Sequence, residues 1–371
     1  MIYNKFQDIE LSALGMGCMR FPTLEDGSID KEATRKMVDY ALKKGINYFD
    51  TAWIYHNGQS EPVIGELLSE YVRDSHYLAT KFPGFDLANI NKVEEIFEAQ
   101  LKRCRVDYFD FYLFHNVCES DINEYLDPQY RIYDYLMEQK KNGRIRHLGF
   151  SAHANMDTMK RFLSAYGKDM EFCQLQINWL DWEYQNAKEK VELVSSYGIP
   201  VWVMEPVRGG KLVNLLPQHE KKLRELRPDT TNAEWAFRFV QSIPEVVMTL
   251  SGMSNFEQLS ENIATYEQEK PLSENEKDIL FRIGRAMTNK NVLPCTSCGY
   301  CTSHCPQELD IPRTIEVYNE QVMTDGVVDI KDIDKGKLPS ACIGCRCCEE
   351  VCPQGIKISE MMMSFAEKLN K

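Results

Sequence analysis

Two absences narrow the field. No stretch of about twenty apolar residues that could cross a bilayer is present, and nothing at the start resembles a basic segment followed by an apolar one. The expectation is therefore a cytoplasmic protein without a membrane partner. Basic residues are in short supply. Lys and Arg number 43 against 56 Asp and Glu, a formal charge of −13, whereas a protein that grips a phosphate backbone needs clustered cations. Nucleic acid is excluded as a partner; a basic protein surface is not. Cysteine is sparse before residue 290, where Cys18, Cys104, Cys118 and Cys173 are scattered and read as unpaired. The other nine of the 13 cysteines follow residue 290 at a spacing suited to metal rather than to disulfides. Thiolate ligands at that density fit a reducing, anaerobic setting.

What is present begins with a rhythm. From about residue 12 to about residue 265, short apolar runs alternate with longer amphipathic segments, the βαβα pattern of a parallel sheet covered by helices. The runs are Ala13–Gly17, Ile46–Asp50, Tyr77–Lys81, Phe109–His115, His147–Ser151, Cys173–Ile177, Pro200–Met204 and Val246–Ser251. Several, such as DFYLFH, are apolar without alternation, as strands buried on both faces are. Eight of them suit a closed (β/α)8 TIM barrel, of the α/β class, better than an open sheet. Asp30 is placed to cap the first helix and Gly45 to end it; Val93, Ile96, Phe97 and Leu101 form the buried stripe of another. The residues before Ala13 are too few for a βα unit and suggest a hairpin closing the barrel bottom. No repeat of 20–50 residues is evident beyond the βα rhythm. The expected organisation is a barrel over 1–270, a connecting helix over 271–290 and a small, mostly α-helical ferredoxin-like domain over 291–371, with the strand-based ferredoxin layout as the alternative.

That last segment holds two complete C-x-x-C-x-x-C-x-x-x-C-P runs: Cys295, Cys298, Cys301, Cys305 and Pro306, then Cys342, Cys345, Cys348, Cys352 and Pro353. The spacing resembles that of bacterial two-cluster ferredoxins, in which one loop wraps three corners of a [4Fe–4S] cubane and the fourth cysteine reaches the other cluster. The resemblance implies one cluster on Cys295, Cys298, Cys301 and Cys352, and another on Cys342, Cys345, Cys348 and Cys305. Structural zinc is the rival for C-x-x-C pairs, and two full runs each ending in proline weigh against it. Cys347 is not needed as a ligand.

Active sites on barrels lie at the C-terminal ends of the strands. Asp50 ends the second run, Tyr55 follows in the loop TAWIYHNG, Lys81 ends the third run and His115 the fourth. With these four, and with YHNGQSEPVIGELL, IRHLGFSAH, EPVRGGKL and SGMSNFEQLSEN, residues 10–265 resemble the aldo-keto reductase family, whose Asp-Tyr-Lys-His tetrad occupies those positions. The resemblance implies that Tyr55 is the general acid protonating a small carbonyl substrate as hydride arrives. Lys81, itself held by Asp50, favours the charged form of the phenol, and His115 orients the carbonyl. The plain alternative is an ion pair in a barrel mouth walled by Tyr55 and His115.

The same resemblance implies a nicotinamide cofactor, with Ser151 and Gln174 on its carboxamide and Gly252, Ser254, Asn255, Gln258, Glu261 and Asn262 along its adenosine end. The chain departs from the family pattern in places. Ala152 and His153 follow the serine where Asn is common, and Met204 stands where an aromatic often stacks on the ring, which a thioether can also pack against. Gly252 and Gln258 stand where NADPH-preferring members carry Lys and Arg, so NADH or dual use is expected unless Arg208 or Lys211 reaches in. His56 and His153 are candidates for touching substrate, as are loops around Trp53, Phe82, Cys118 and Trp179.

A nicotinamide delivers two electrons together, whereas a [4Fe–4S] cluster takes one. No flavin fingerprint is visible, but phosphate sites on barrels leave little mark in sequence, so a flavin stays open. Three readings follow: a carbonyl reductase with NAD(H) or NADP(H) and two clusters; an electron-transfer protein linking nicotinamide or flavin to a ferredoxin-like partner; or a non-enzymatic binding subunit, by analogy with channel β-subunits.

Overall fold

The structure, a computed structural model, describes residues 1–288, 292–324, 333 and 336–369. The chain divides into two compact units, one of Met1–Val207 and Leu212–Leu280, the other of Arg208–Lys211 and Phe281–Lys371.

The first unit begins with an antiparallel hairpin, β1 (Tyr3–Phe6) and β2 (Ile9–Ser12), in which Tyr3 faces Ser12. Eight parallel strands then close a barrel: β3 (Leu14–Gly17), β4 (Tyr48–Asp50), β5 (Tyr77–Phe82), β6 (Phe109–Val117), β7 (Ile145–Ala152), β8 (Cys173–Gln176), β9 (Val201–Met204) and β10 (Val246–Gly252), with β10 pairing β3. The fold is the (β/α)8 barrel that the eight apolar runs predict. All nine residues of β6 are buried, which explains its unbroken apolar character. Phe6 enters the barrel from the hairpin and packs edge-on against Trp202 at 5.0 Å and at a tilt against Phe111 at 5.7 Å, with Tyr48, Phe172 and Met248 completing that layer. The hairpin thus plugs the end opposite the strand C-termini.

Helices cover the barrel for legible reasons. In α1 (Lys31–Lys43), the Asp30 side chain accepts from the Ala33 amide, and Gly45, with φ of 92°, ends the turn. Two further helices matter for the site, α2 (Ser60–Leu68) and α3 (Val93–Cys104); α3 buries Val93, Ile96, Phe97 and Leu101. They cross closely at Gly65, where a Cβ would stand 2.5 Å from the Cys104 backbone.

The helix Glu274–Thr288 carries the chain from the first unit to the second. Among the described residues beyond 291 there are helices and turns and no strand. The helices Ile311–Thr324 and Ile358–Leu369 bury Ile311, Ile315, Ile358, Met362 and Phe365 in one core, joined by Cys295, Cys301 and Cys348. Here the absence of a repeat is corrected. Cys295 and Cys342, Cys305 and Cys352, and the helix starts Ile311 and Ile358 are separated by the same interval, and each cysteine run turns through left-handed residues at matching places: Ser297 and Gly344, Gly299 and Arg346, Glu308 and Gly355. The copies share little besides cysteine and proline, which is why their likeness is one of backbone.

Candidate active site and metal sites

The strand ends of the barrel gather the polar residues singled out above. Asp50 and Lys81 are buried, and the Lys81 ammonium donates to Asp50 Oδ1 at 2.5 Å, to the Thr51 carbonyl at 2.8 Å and to the Tyr55 hydroxyl at 3.3 Å. It also lies 4.8 Å from the Tyr55 ring centroid. The other Asp50 oxygen accepts from Gln174 Nε2 at 2.6 Å, so one carboxylate is shared between the cation and β8. His115 stands edge-on to Tyr55, with ring centroids 6.1 Å apart. A register shift between Phe114 and Val117 locally bends β6 where it carries His115. Burial, then the charge of Lys81, holds the His115 pKa well below that of free imidazole. His115 is neutral at physiological pH and offers a neutral donor.

The residues expected at the cofactor fall into two groups. Ser151 and Gln174 are buried beside the tetrad; Ser151 Oγ accepts from the Asn116 amide at 2.8 Å, which leaves its hydroxyl proton to donate elsewhere. Met204 is half-buried at the end of β9. Gly252 at the end of β10, Ser254 and Asn255 before the helix Phe256–Thr265, and Gln258 and Glu261 on it are exposed. There Asn255 caps the helix by accepting from the Gln258 amide, Gln258 Oε1 accepts from the Ser254 amide, and buried Asn262 donates to Ser251 Oγ at 3.1 Å. Of the cations considered for this end, Arg208 is buried and donates to the Pro294 carbonyl within the second unit. Sequence reasoning overlooked Arg20, whose stem atoms lie 3.3–3.4 Å from where a Cβ on Gly252 would be. The missing side chain at Gly252 is what lets an arginine from the β3 loop cover that strand end.

The other candidates have neighbours of their own. His56 Nε2 accepts from the Phe21 amide at 2.9 Å and its ring stacks on Phe21, so it braces the β3 loop. Phe82 and Trp179 are fully enclosed, and Trp53 lies under the Arg103 guanidinium at 4.1 Å. Cys118 is tied to Asp121 through its amide and its thiol. His153 keeps a pKa pushed down to about 3 by burial and by Lys190. Two features escaped the sequence reading: Phe85, edge-on to His115 at 5.0 Å, and a buried polar network behind Lys81, described below. A lone Phe in a loop and polar residues inside amphipathic helices leave no pattern to read.

In the second unit, Cys295, Cys298, Cys301 and Cys352 border one cavity together with Pro312, Ile315 and Ile356. Cys305, Cys342, Cys345 and Cys348 border another with Leu309, Ile311 and Met362. The fourth cysteine of each run therefore stands with the first three of the other. Burial pushes the Cys301 thiol up, and the Cys348 thiol to about 12. Thiolates in such apolar surroundings need a cationic partner, which iron in a cluster supplies, and the donor set fits. Cys347 lies outside both linings and is exposed.

A family model described as "Aldo/keto reductase family" matches residues 13–281. The chain belongs to the aldo/keto reductase family. A second model, "4Fe-4S dicluster domain", matches residues 294–356, which contain all eight cysteines of the two runs. This aldo/keto reductase is 24% identical to an uncharacterized oxidoreductase, YqkF, of Bacillus subtilis, over 75% of the chain and 97% of that protein. It is 25% identical to the NADH-specific methylglyoxal reductase of Escherichia coli, over 69% of the chain and 90% of that protein. Among solved structures it is similar to the holo form of aldo-keto reductase AKR11C1 from Bacillus halodurans, with a TM-score of 0.62 and 28% identity, covering 76% of this chain and 96% of that one. It is an oxidoreductase with an added iron–sulfur domain. Among the described residues no helix is long and apolar enough to cross a membrane.

Proposed function

We propose that this aldo/keto reductase reduces an aldehyde or ketone to the alcohol with NADH or NADPH, that residues 1–270 form its catalytic domain, and that residues 291–371 hold two [4Fe–4S] clusters. The observation that carries the reading is the Lys81 ammonium, bonded at once to the buried Asp50 carboxylate and to the Tyr55 phenol. In water a phenol is a poor acid. A fixed ammonium 3.3 Å from its oxygen stabilises the phenolate that remains when the proton leaves, so Tyr55 can protonate a carbonyl oxygen as negative charge develops there. Asp50 holds the ammonium in place, and Gln174 holds Asp50. His115, kept neutral, donates a hydrogen bond to the same oxygen without competing to lose a full proton.

Bound reduced nicotinamide supplies the hydride. Ser151 and Gln174 would hold its carboxamide, Met204 would pack against its ring, and Gly252, Ser254, Asn255, Gln258, Glu261 and Asn262 would border the adenosine. The absence of Lys or Arg at 252 and 258 supports NADH or dual use, with Arg20 the cation at hand. The naming of one relative as an NADH-specific methylglyoxal reductase supports the same direction. The clusters are assigned to Cys295, Cys298, Cys301 and Cys352, and to Cys342, Cys345, Cys348 and Cys305. A reducing cytoplasm suits them.

The test is Tyr55→Phe in anaerobically purified protein. Aldehyde-dependent loss of NAD(P)H should fall by a factor of about 10² or more, with iron and sulfide content unchanged. Full activity in the variant would remove the proposed acid. The second reading, electron transfer to a ferredoxin-like partner, draws on the two cysteine-bordered cavities. It predicts that NAD(P)H alone, with a flavin released on denaturation, bleaches the cluster spectrum.

A further inference from the structure

Lys81 serves the tetrad only while its ammonium stays between Asp50, Thr51 and Tyr55, yet the strand that carries it is paired there on one side only: β6 continues alongside, with Leu113 opposite Lys81, while β4 does not. Ladder pairing of β4 with β5 runs no further than Asp50 opposite Ala79, and the Thr51 amide, bonded to the Ala79 carbonyl, is the next rung. Carbonyls two residues apart on a strand point the same way, so the Lys81 carbonyl faces the place that β4 has vacated by turning into the Tyr55 loop. A buried carbonyl needs a donor. It receives the side-chain amide of Gln100, from α3, at 3.0 Å.

Gln100 is itself locked. It is fully buried, its Oε1 accepts from the Tyr112 hydroxyl at 2.6 Å, and its Nε2 also donates to Glu61 Oε1 at 2.7 Å. Glu61, a carboxylate on α2 with no exposed surface, also accepts from the Thr80 hydroxyl at 2.7 Å and pairs with Arg103 at 3.2 Å. Thr80 and Lys81 are neighbours on a strand and point to opposite faces. The network therefore lies on the outer face of β5, away from the tetrad side chains. Burial raises the Glu61 carboxyl above the usual carboxylate range despite these donors, the cost of keeping a charge under the strand.

We propose that Gln100, held by Glu61 and Tyr112, is a positioning residue for Lys81: its amide replaces the missing strand neighbour and fixes the peptide from which the ammonium reaches Tyr55. The proposal rests on the carbonyl-reductase reading. A leucine at 100 leaves the Lys81 carbonyl without a donor and Glu61 short of one, so the end of β5 shifts and the ammonium with it.

The experiment uses the full holoprotein with Gln100→Leu and, as a gentler change, Tyr112→Phe, which releases the amide without removing it. Two readouts are taken: the single-turnover rate of NAD(P)H oxidation with excess aldehyde, and the ionisation of Tyr55, isolated as phenolate absorbance after subtracting the matching Tyr55→Phe protein. Gln100→Leu is expected to slow the single turnover about tenfold to a hundredfold, as a misplacement near 1 Å does. It should leave nicotinamide binding near wild type and move the Tyr55 midpoint upward; Tyr112→Phe should do the same to a smaller degree. An unchanged rate and midpoint in folded Gln100→Leu, even with lowered thermal stability, overturns the proposal. If that variant does not fold, an unchanged rate and midpoint in Tyr112→Phe overturns it equally. If the wild type reduces no aldehyde, the reductase reading is what fails, and the Tyr55 titration still decides the positioning claim.

Discussion

The pair at the centre of the site allows a quantitative test. Asp50 and Lys81 have side chains only 5% and 2% exposed and a separation of 2.5 Å. Coulomb's law with an effective dielectric of about 20 makes their attraction about 6–7 kcal/mol. Desolvation of two ions costs several kcal/mol each, so the intact pair is close to neutral in net stability. Removing one charge is different, because the other stays buried without its counter-ion, at a cost of about 3–5 kcal/mol. Asp50→Asn leaves the ammonium with the Thr51 carbonyl, an amide oxygen and Tyr55, none of them charged. The barrel's thermal transition should fall by on the order of 10 °C, given about 2–4 °C per kcal/mol for a unit of this size. Lys81→Met strands the Asp50 carboxylate with Gln174 and should cost a similar amount. The double variant Asp50→Asn, Lys81→Met removes both charges and should be less destabilised than the two single changes together by at least about 2 kcal/mol. The assay is chemical denaturation of all four proteins, monitored by circular dichroism. Additivity within about 0.5 kcal/mol would refute the argument, since it would mean that neither ion depends on the other.

Three further outcomes are expected. Cys352→Ser should lower iron from about eight to about four atoms per chain, by depriving the cluster on Cys295, Cys298 and Cys301 of its fourth ligand; loss confined to the cluster on Cys342, Cys345 and Cys348 would contradict the crossed assignment, and iron analysis with electron paramagnetic resonance distinguishes them. Burial alone would raise the Glu171 carboxyl, but bonds from His147, Lys140, Gln7 and the Leu148 amide bring it down to about 2. A depressed carboxyl stabilises the fold above its unfolded pKa and loses that contribution as pH falls through the folded value, here between about pH 4.5 and pH 2. The advantage of wild type over Glu171→Gln should therefore be at most about 3 kcal/mol at neutral pH and shrink across that window in urea titrations. Gly65→Ala places a methyl 2.5 Å from the Cys104 backbone, which cannot yield as a side chain does; a loss of about 3 kcal/mol, read from thermal unfolding, is expected from the forced separation of α2 and α3.

The eight strands of the barrel were legible because parallel strands buried on both faces have to be apolar throughout, and DFYLFH inside β6 is such a run. Asp30, Gly45 and the stripe on α3 were legible because caps and helical periodicity are local rules. The two cysteine runs carried their message in spacing alone, and the residues at the ends of β4, β5 and β6 carried theirs in order. What lay beyond reach depended on which side chains meet across the sheet and between helices. Nothing local distinguishes Gln100 from any other polar residue of an amphipathic helix, and only the early departure of β4 creates the carbonyl it serves. His56 looked as available as His153 until the β3 loop claimed its ring nitrogen. The two cysteine runs were plain, but that their likeness extends to the backbone turns and the following helices was hidden, because left-handed backbone can be carried by Ser297 in one copy and Gly344 in the other. By itself the sequence determined where strands, helices and metal-spaced thiols fall, since those follow from burial period and covalent spacing. Tertiary structure alone decided that Gln100 serves the Lys81 carbonyl and that Arg20 covers Gly252, because hydrogen bonds and close approaches between distant segments exist only once the chain has closed on itself.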